Sequence, residues 1–167
     1  EAPSDRASGG EPEPGPAAGE APGASTERYR LASELGRGGV GGVIKGHDLD
    51  LGRDVAMKVL LEEHAGAPEM LQRFVEEAQI GGQLQHPGIV PVYELGLTAD
   101  GRPFFAMKLV KGRTLTSMLA DRSGGAGRDP ALLRIYLRVC ETVAYAHARG
   151  VIHRDLKPSN VMVGAFG

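Results

Sequence analysis

The chain has 167 residues, with 19 Lys and Arg, 21 Asp and Glu, and a single cysteine. That is length enough for one buried core and far too little basic excess for a dedicated nucleic-acid binder. One thiol closes no intramolecular disulfide, and no run of about 18 apolar residues offers a membrane span, so the chain reads as soluble and cytoplasmic, or as the cytoplasmic part of a membrane-anchored protein.

Residues 1–28 hold five Pro and five Gly and no Leu, Ile, Val, Met, Phe or Tyr. Nothing there can offset the entropy of ordering, and the stretch reads as a disordered acidic tail. The chain opens on Glu1 instead of methionine, which reads as a piece of something longer. From Tyr29 the pattern changes. YRLASELG and GVIKGHD flank a glycine cluster and DVAMKVLL follows, three runs parted by turn residues, which predicts an antiparallel meander. A helix is expected over 68–84, opened by Pro68 and striped by Met70, Leu71, Phe74, Ala78 and Leu84, with Gly81 and Gly82 weakening its last turn. IVPVYELGL and RPFFAMKLV read as two more strands joined by a turn at Thr98 to Gly101.

Arg122 to Asp129 reads as a glycine-rich loop. Pro130 to Arg149 is the clearest helix, with Leu132, Leu133, Tyr136, Val139, Cys140, Val143, Ala144 and His147 on one stripe and Gly150 as the stop. On that stripe Cys140 is expected to be a buried, inert thiol. The order is β-β-β-α-β-β followed by helices, a small sheet lobe leading into a helical one. No zinc site competes, since His47, His64, His86, His147 and His153 lack ligand spacing.

Gly36, Gly38 and Gly41 spell GxGxxG, a spacing that can gather backbone amides around phosphate oxygens. With 25 glycines in 167 residues, against the roughly 7% usual in proteins, a chance match is about an even bet, and a simple hairpin turn is the competing reading. A dinucleotide fold needs a helix directly after the glycines. Here Val43 and Ile44 are β-branched and Gly46, Asp48, Asp50 and Gly52 break any helix. A Walker A lysine is also missing, which leaves a glycine loop between two strands with Lys58 one strand later.

Strand alternation puts Val55 and Met57 on one face and Ala56 and Lys58 on the other. A lysine beside a phosphate loop needs a carboxylate to hold it. At about 100° per residue with Phe74 at zero, Ala78 falls at about 40°, Glu77 at about 300° and Glu76 at about 200°. Glu77 therefore borders the apolar face and Glu76 points to solvent, predicting a Lys58–Glu77 ion pair. An exposed lysine and a solvated glutamate are the alternative.

HRDLKPSN, with His153, Arg154, Asp155, Leu156, Lys157 and Asn160, completes the pattern. Together with GxGxxGxV (Gly36 to Val43), VAMK (Val55 to Lys58), RFVEEA with Glu77, and HPGIV (His86 to Val90), the chain from Tyr29 to Val163 resembles the eukaryotic-like protein kinases, specifically the bacterial Ser/Thr kinases. The resemblance implies an α+β fold. Residues 29–110 would form a small antiparallel sheet lobe with one helix, and 111–167 the hinge exit and the start of a mainly helical lobe. It implies ATP with Mg²⁺ as the nucleotide and metal, and protein substrates phosphorylated on Ser or Thr.

By the same resemblance, Asp155 would orient the attacking hydroxyl, Lys157 would sit on the γ-phosphate, Asn160 would ligate the metal, and Lys58 and Glu77 would complete the catalytic set. Leu35, Gly36, Arg37, Gly38, Gly39, Val40, Gly41, Gly42 and Val43 would close over the nucleotide with Ala56. Met107 would be the gatekeeper, or only core filler, and the main chain of Lys108 and Val110 would meet the purine. His153 is expected to pack, not to catalyse, and Arg154 to pair with a phosphorylated activation loop.

The family's second metal ligand, the Asp of DFG, has no counterpart. Ala165-Phe166-Gly167 begins five residues after Asn160 and offers no oxygen, so VMV reads as a short strand and GAFG as a turn. Two readings follow: part of an active Ser/Thr kinase, inactive by itself, or a catalytically dead nucleotide-binding or protein-interaction module. The intact Asp155, Lys157, Asn160, Lys58 and Glu77 favour the first.

Overall fold

VAMKVL and PFFAMK are each apolar at every position but one lysine, the composition of strands covered on both faces. A computed structural model describes residues 28–121 and 129–165 and places them at the centre of a five-stranded antiparallel sheet. Its strands are β1 (Tyr29–Arg37), β2 (Gly41–Asp48), β3 (Arg53–Leu60), β4 (Val92–Leu97) and β5 (Pro103–Lys108), in the order β1-β2-β3-β5-β4. Residues 1–27 of the acidic tail expected over 1–28, residues 122–128 of the glycine-rich loop expected over 122–129, and the last two residues of GAFG lie outside the described residues.

The predicted alternation holds on β3. Val55, Met57 and Val59 join Tyr29, Phe104 and Ala106 on one face. Leu60 joins Phe74, Ala78 and Phe105 on the other, with Val40, Val92 and Met107 packed against them. Phe74 and Ala78 come from α1 (Pro68–Gln83) and are its buried residues, at the face the helical spacing assigns them. Gly81 and Gly82 remain inside this helix. At Gly81 a Cβ would come within 2.9 Å of Val92 Cγ2, so its bareness lets α1 lie close to β4.

Composition groups Arg28 with the tail, yet it is tied into the sheet. Its guanidinium donates twice to the fully buried Asp48 at 2.8 Å and once to Glu94 at 3.1 Å. Tyr29 donates its hydroxyl to the same Glu94 at 2.6 Å. Backbone Leu51 N–H and Arg53 Nε, each at 3.3 Å, complete the shell around Asp48. A buried carboxylate without such partners would be strongly destabilising. Here Arg28 holds its pKa down at about 2.

After the sheet come β6 (Gly112–Thr114), α2 (Leu115–Ala120), α3 (Pro130–His147) and β7 (Met162–Gly164). β7 is the short strand expected at VMV, shifted by one residue. Its partner β6 and the helix α2 go beyond the sequence reading, although Thr114 followed by Leu115, Met118 and Leu119 carries a capping signature. The Thr114 side chain accepts from Ser117 N–H at 3.1 Å. α3 begins where Asp129 accepts from the amides of Ala131 and Leu132 and Pro130 fills the first turn.

The expectation of a buried Cys140 is wrong: its thiol is exposed. α3 has no buried residue, and Leu133, Tyr136 and Leu137 on it are 52% or more exposed. Periodicity correctly marks an apolar stripe, but among the described residues nothing covers its outer half. The inner half faces α2 and the segment that follows Leu156 across an apolar groove lined by Leu115, Leu119, Leu132, Val139 and Val161. α3 also meets the loop that leads into β4. Tyr145 accepts from the Gln85 amide at 3.0 Å and stacks on His86 at 4.9 Å, while Gly88 lies so close to Thr142 that no side chain fits between them. Among the described residues no helix is long and apolar enough to cross a membrane.

Candidate active site

Lys58 points from β3 toward α1. Both carboxylate oxygens of Glu77 accept from its Nζ, at 2.6 and 2.7 Å, while Glu76 is exposed and bonds Gln72 on its own helix. The geometry follows from the core: Phe74 and Ala78 anchor α1 on the sheet, and Glu77 lies between them at the border of that contact. The Lys58 side chain is 19% exposed, with its ammonium 5.9 and 5.8 Å from the Phe74 and Phe105 rings. An ammonium has three N–H donors, and Glu77 takes two, leaving one for an anion.

The glycine loop closes over this lysine. Across β2 and β3, Val43 pairs with Lys58 and Gly41 with Leu60. A Cβ at Gly41 would come within 3.0 Å of Val59 O and 3.1 Å of Lys58 Cε, a tight fit that the bare glycine avoids. Gly36 and Arg37 pair with Val43 and Gly42. The Arg37 side chain turns to Glu34 and Leu35 is half exposed, so neither is fixed against the lysine. Gly38 donates to Gly41 O at 2.9 Å, making the turn whose tip is Gly39 and Val40.

Ala56 is the cross-strand partner of Met107, which packs on the α1 side of the sheet. Met107 is therefore part of the core edge on the face that carries Lys58. The Lys108 amide donates to Pro91 O at 3.1 Å, so its N–H is already engaged. Val110 follows in the link to β6, half-buried.

The second group sits on the loop after α3. Asp155 Oδ2 accepts from Lys157 Nζ at 2.9 Å and from Asn160 Nδ2 at 3.0 Å. Asn160 also donates to the Asp155 carbonyl at 2.8 Å, and the Asp155 amide meets His153 Nδ1 at 3.3 Å. The hydrogen bond from Lys157, then that from Asn160, holds the Asp155 carboxyl below its ordinary value, so it is ionised at neutral pH. Arg154 has φ +64°, the one positive φ outside glycine among the described residues. That strained turn sets Asp155 facing its two partners.

The loop is anchored where Leu115 N–H bonds Val161 O at 2.8 Å and β6 pairs with β7. The two groups, Lys58 with Glu77 and Asp155 with Lys157 and Asn160, share no described hydrogen bond. Among the described residues no trio of His, Cys, Asp or Glu could hold a metal alone. Asn160 spends its nitrogen on Asp155, which leaves its amide oxygen as a hard donor beside a carboxylate. That pairing fits a Mg²⁺ ion that takes most of its ligands from phosphates and water.

Residues 29–165 match the protein kinase domain family. The chain is 35% identical over 149 residues to the serine/threonine-protein kinase PknD of Protochlamydia amoebophila, covering 83% of this chain and 15% of that protein. It is 38% identical over 151 residues to PknD of Chlamydia trachomatis serovar D, covering 84% and 16%. It thus spans about a sixth of the length of these relatives. Among solved structures, the Mycobacterium tuberculosis PknI kinase domain superposes with a TM-score of 0.68 at 32% identity, covering 87% of this chain and 59% of that one. Motifs, sheet order, ion pair and relatives agree: the chain belongs to the protein kinase family, among the serine/threonine kinases of bacterial type.

Proposed function

We propose that the chain binds ATP on the Lys58 face of the sheet and directs its γ-phosphate toward Asp155, as the nucleotide-binding part of a serine/threonine protein kinase. The observation that carries this reading is the two-pronged Lys58–Glu77 pair directly beneath Gly41. It fixes a cation with one free donor next to a glycine turn, which suits the α- and β-phosphates.

Residues 29–110 act as one lobe and 111–167 as the start of the second. The loop from Leu35 to Val43 covers the phosphates. Ala56 and Met107 flank the purine, and the Lys108 carbonyl and the Val110 main chain read its edge. Bound Mg²⁺, held by the Asn160 amide oxygen, would neutralise charge on the phosphates. Asp155, kept ionised by Lys157 and Asn160, orients the Ser or Thr hydroxyl of a protein substrate, and Lys157 moves to the γ-phosphate. The family's second metal-holding carboxylate is not among these 167 residues, so by themselves they bind nucleotide and transfer little phosphate.

Calorimetric titration with Mg·ATP tests the reading. Wild type should show saturable binding that ADP competes for. Lys58→Met or Glu77→Ala should weaken it by about tenfold or more, the loss of one charge-assisted contact, and Glu76→Ala should leave it unchanged. Equal losses at Glu76 and Glu77, or no saturable binding, would overturn it. In a kinase containing this chain, Asp155→Asn should abolish most transfer while sparing nucleotide binding. Robust labelling of a Ser/Thr peptide by the 167 residues alone would refute the low-transfer part.

A further inference from the structure

The tip of the glycine turn is held by a residue that none of the motifs includes. His64 lies in a short 3-10 turn, Glu62–His64, between β3 and α1. Its Nε2 is 2.7 Å from the carbonyl oxygen of Gly39. A carbonyl can only accept, so Nε2 carries the hydrogen. One residue on, the Leu61 amide donates to Val40 O at 3.2 Å. The turn that presents the imidazole is itself pinned: His64 N–H bonds Leu61 O and Ala67 N–H bonds His64 O, each at 3.0 Å. Directly after it, Pro68 opens the helix that carries Glu77. The ring is mostly buried, at 23% exposure, and the Glu63 carboxylate stands farther off at 3.7 Å.

A trans peptide points its C=O and N–H in opposite directions. Gly39 tolerates either orientation of the peptide that follows it, so on the glycine side nothing fixes which way the Val40 N–H faces, and only the preference of Val40 for negative φ opposes a flip. A donor on the Gly39 carbonyl does fix it. With Gly39 O drawn to His64 and Val40 O drawn to Leu61, the Val40 and Gly41 amides are aimed away from the β3–α1 link. Val40 is at the same time seated by its side chain on the Leu60, Phe74, Ala78 and Phe105 cluster.

We propose that His64 is a positioning residue for the triphosphate: it fixes the orientation of the Gly39–Val40 peptide so that the Val40 amide is presented to a phosphate oxygen. This inference rests on the nucleotide reading given above. It extends that reading by joining the phosphate turn to the base of α1, so that the turn and Glu77 are set by one segment.

The test compares wild type, His64→Ala and His64→Gln in the 167-residue chain. It uses Mg·ATP and adenosine as ligands, and amide hydrogen exchange at Leu61 without ligand. The expected result is that His64→Ala weakens Mg·ATP by about tenfold, the usual effect of losing one hydrogen bond, leaves adenosine affinity unchanged, and speeds Leu61 exchange. His64→Gln, whose amide nitrogen can donate, restores much of both. Wild-type affinity of His64→Ala for Mg·ATP, an equal loss for adenosine, or unchanged Leu61 exchange would each overturn the proposal. Failure of wild type itself to bind Mg·ATP would instead remove the nucleotide reading on which it stands.

Discussion

The sheet and the helical segment are built by different forces. Every fully buried side chain among the described residues lies between Tyr29 and Ala106, whereas α2 and α3 bury none. The Lys58–Glu77 pair is consequently a product of packing: Phe74, Ala78 and Phe105 bring α1 onto the sheet, and the ions meet because the core does. The Asp155 cluster is a product of local hydrogen bonds, made within the one stretch His153 to Asn160 around the strained Arg154. Two halves of one candidate site therefore fail in different ways, the first when the core loosens and the second when a short loop loses a partner.

The sharpest way to break this comparison is to empty a side chain from each region. Phe104→Ala, at a position with no exposure, should cost about 3–5 kcal/mol in urea unfolding, and Tyr136→Ala, 65% exposed, less than about 1 kcal/mol. Similar losses would mean that α3 is as well packed as the sheet.

The next largest effect is expected at the buried ion network. Asp48→Asn strips the charge that Arg28 faces and should cost about 3 kcal/mol. The Asp48 carboxyl is depressed from 3.8 to about 2, chiefly by its hydrogen bonds from Arg28. Its contribution is therefore complete above the ordinary carboxylate value and is lost as pH falls toward about 2. The stability gap between wild type and Asp48→Asn should narrow over that window in thermal melts at stepped pH, and a gap that stays constant would rule out this role for Asp48.

A smaller effect probes the seam between the regions. Gly88→Ala drives a methyl into Thr142 and should cost about 1–3 kcal/mol. Adding Thr142→Ala should recover most of it, and full additivity in the double mutant would show that the two residues do not meet. Smallest in energy is Cys140. Its thiol should react with a disulfide reagent in the folded chain without waiting for unfolding, and protection up to the melting point would restore the buried expectation.

What is legible in the sequence is legible for local reasons. The meander, the start of α1 at Pro68 and the phase that separates Glu77 from Glu76 follow from periods of about 2 and 3.6 residues. The loop over His153 to Asn160 is a contiguous motif and needs no tertiary knowledge to find. Arg28 with Asp48 and Glu94 is illegible because its partners stand 20 and 66 positions away, and a charged residue at the end of a Pro- and Gly-rich stretch carries no sign of burial. Periodicity misplaces Cys140 because it defines a face without saying what lies against it. His64 offers no ligand spacing, and its partner is a backbone carbonyl that no side-chain pattern reveals.

The strand order has a kinetic consequence. β1, β2 and β3 pair with their neighbours in sequence, as β4 does with β5, but β3 meets β5 only across the whole span that contains α1 and β4. The two hairpin units can form early, while the β3–β5 seam must wait for a long chain closure. That seam sets Lys58 opposite Phe105 and encloses the helix bearing Glu77. Assembly of the cation site and completion of the sheet are thus one event, so refolding intermediates holding only the hairpins should have no affinity for a triphosphate.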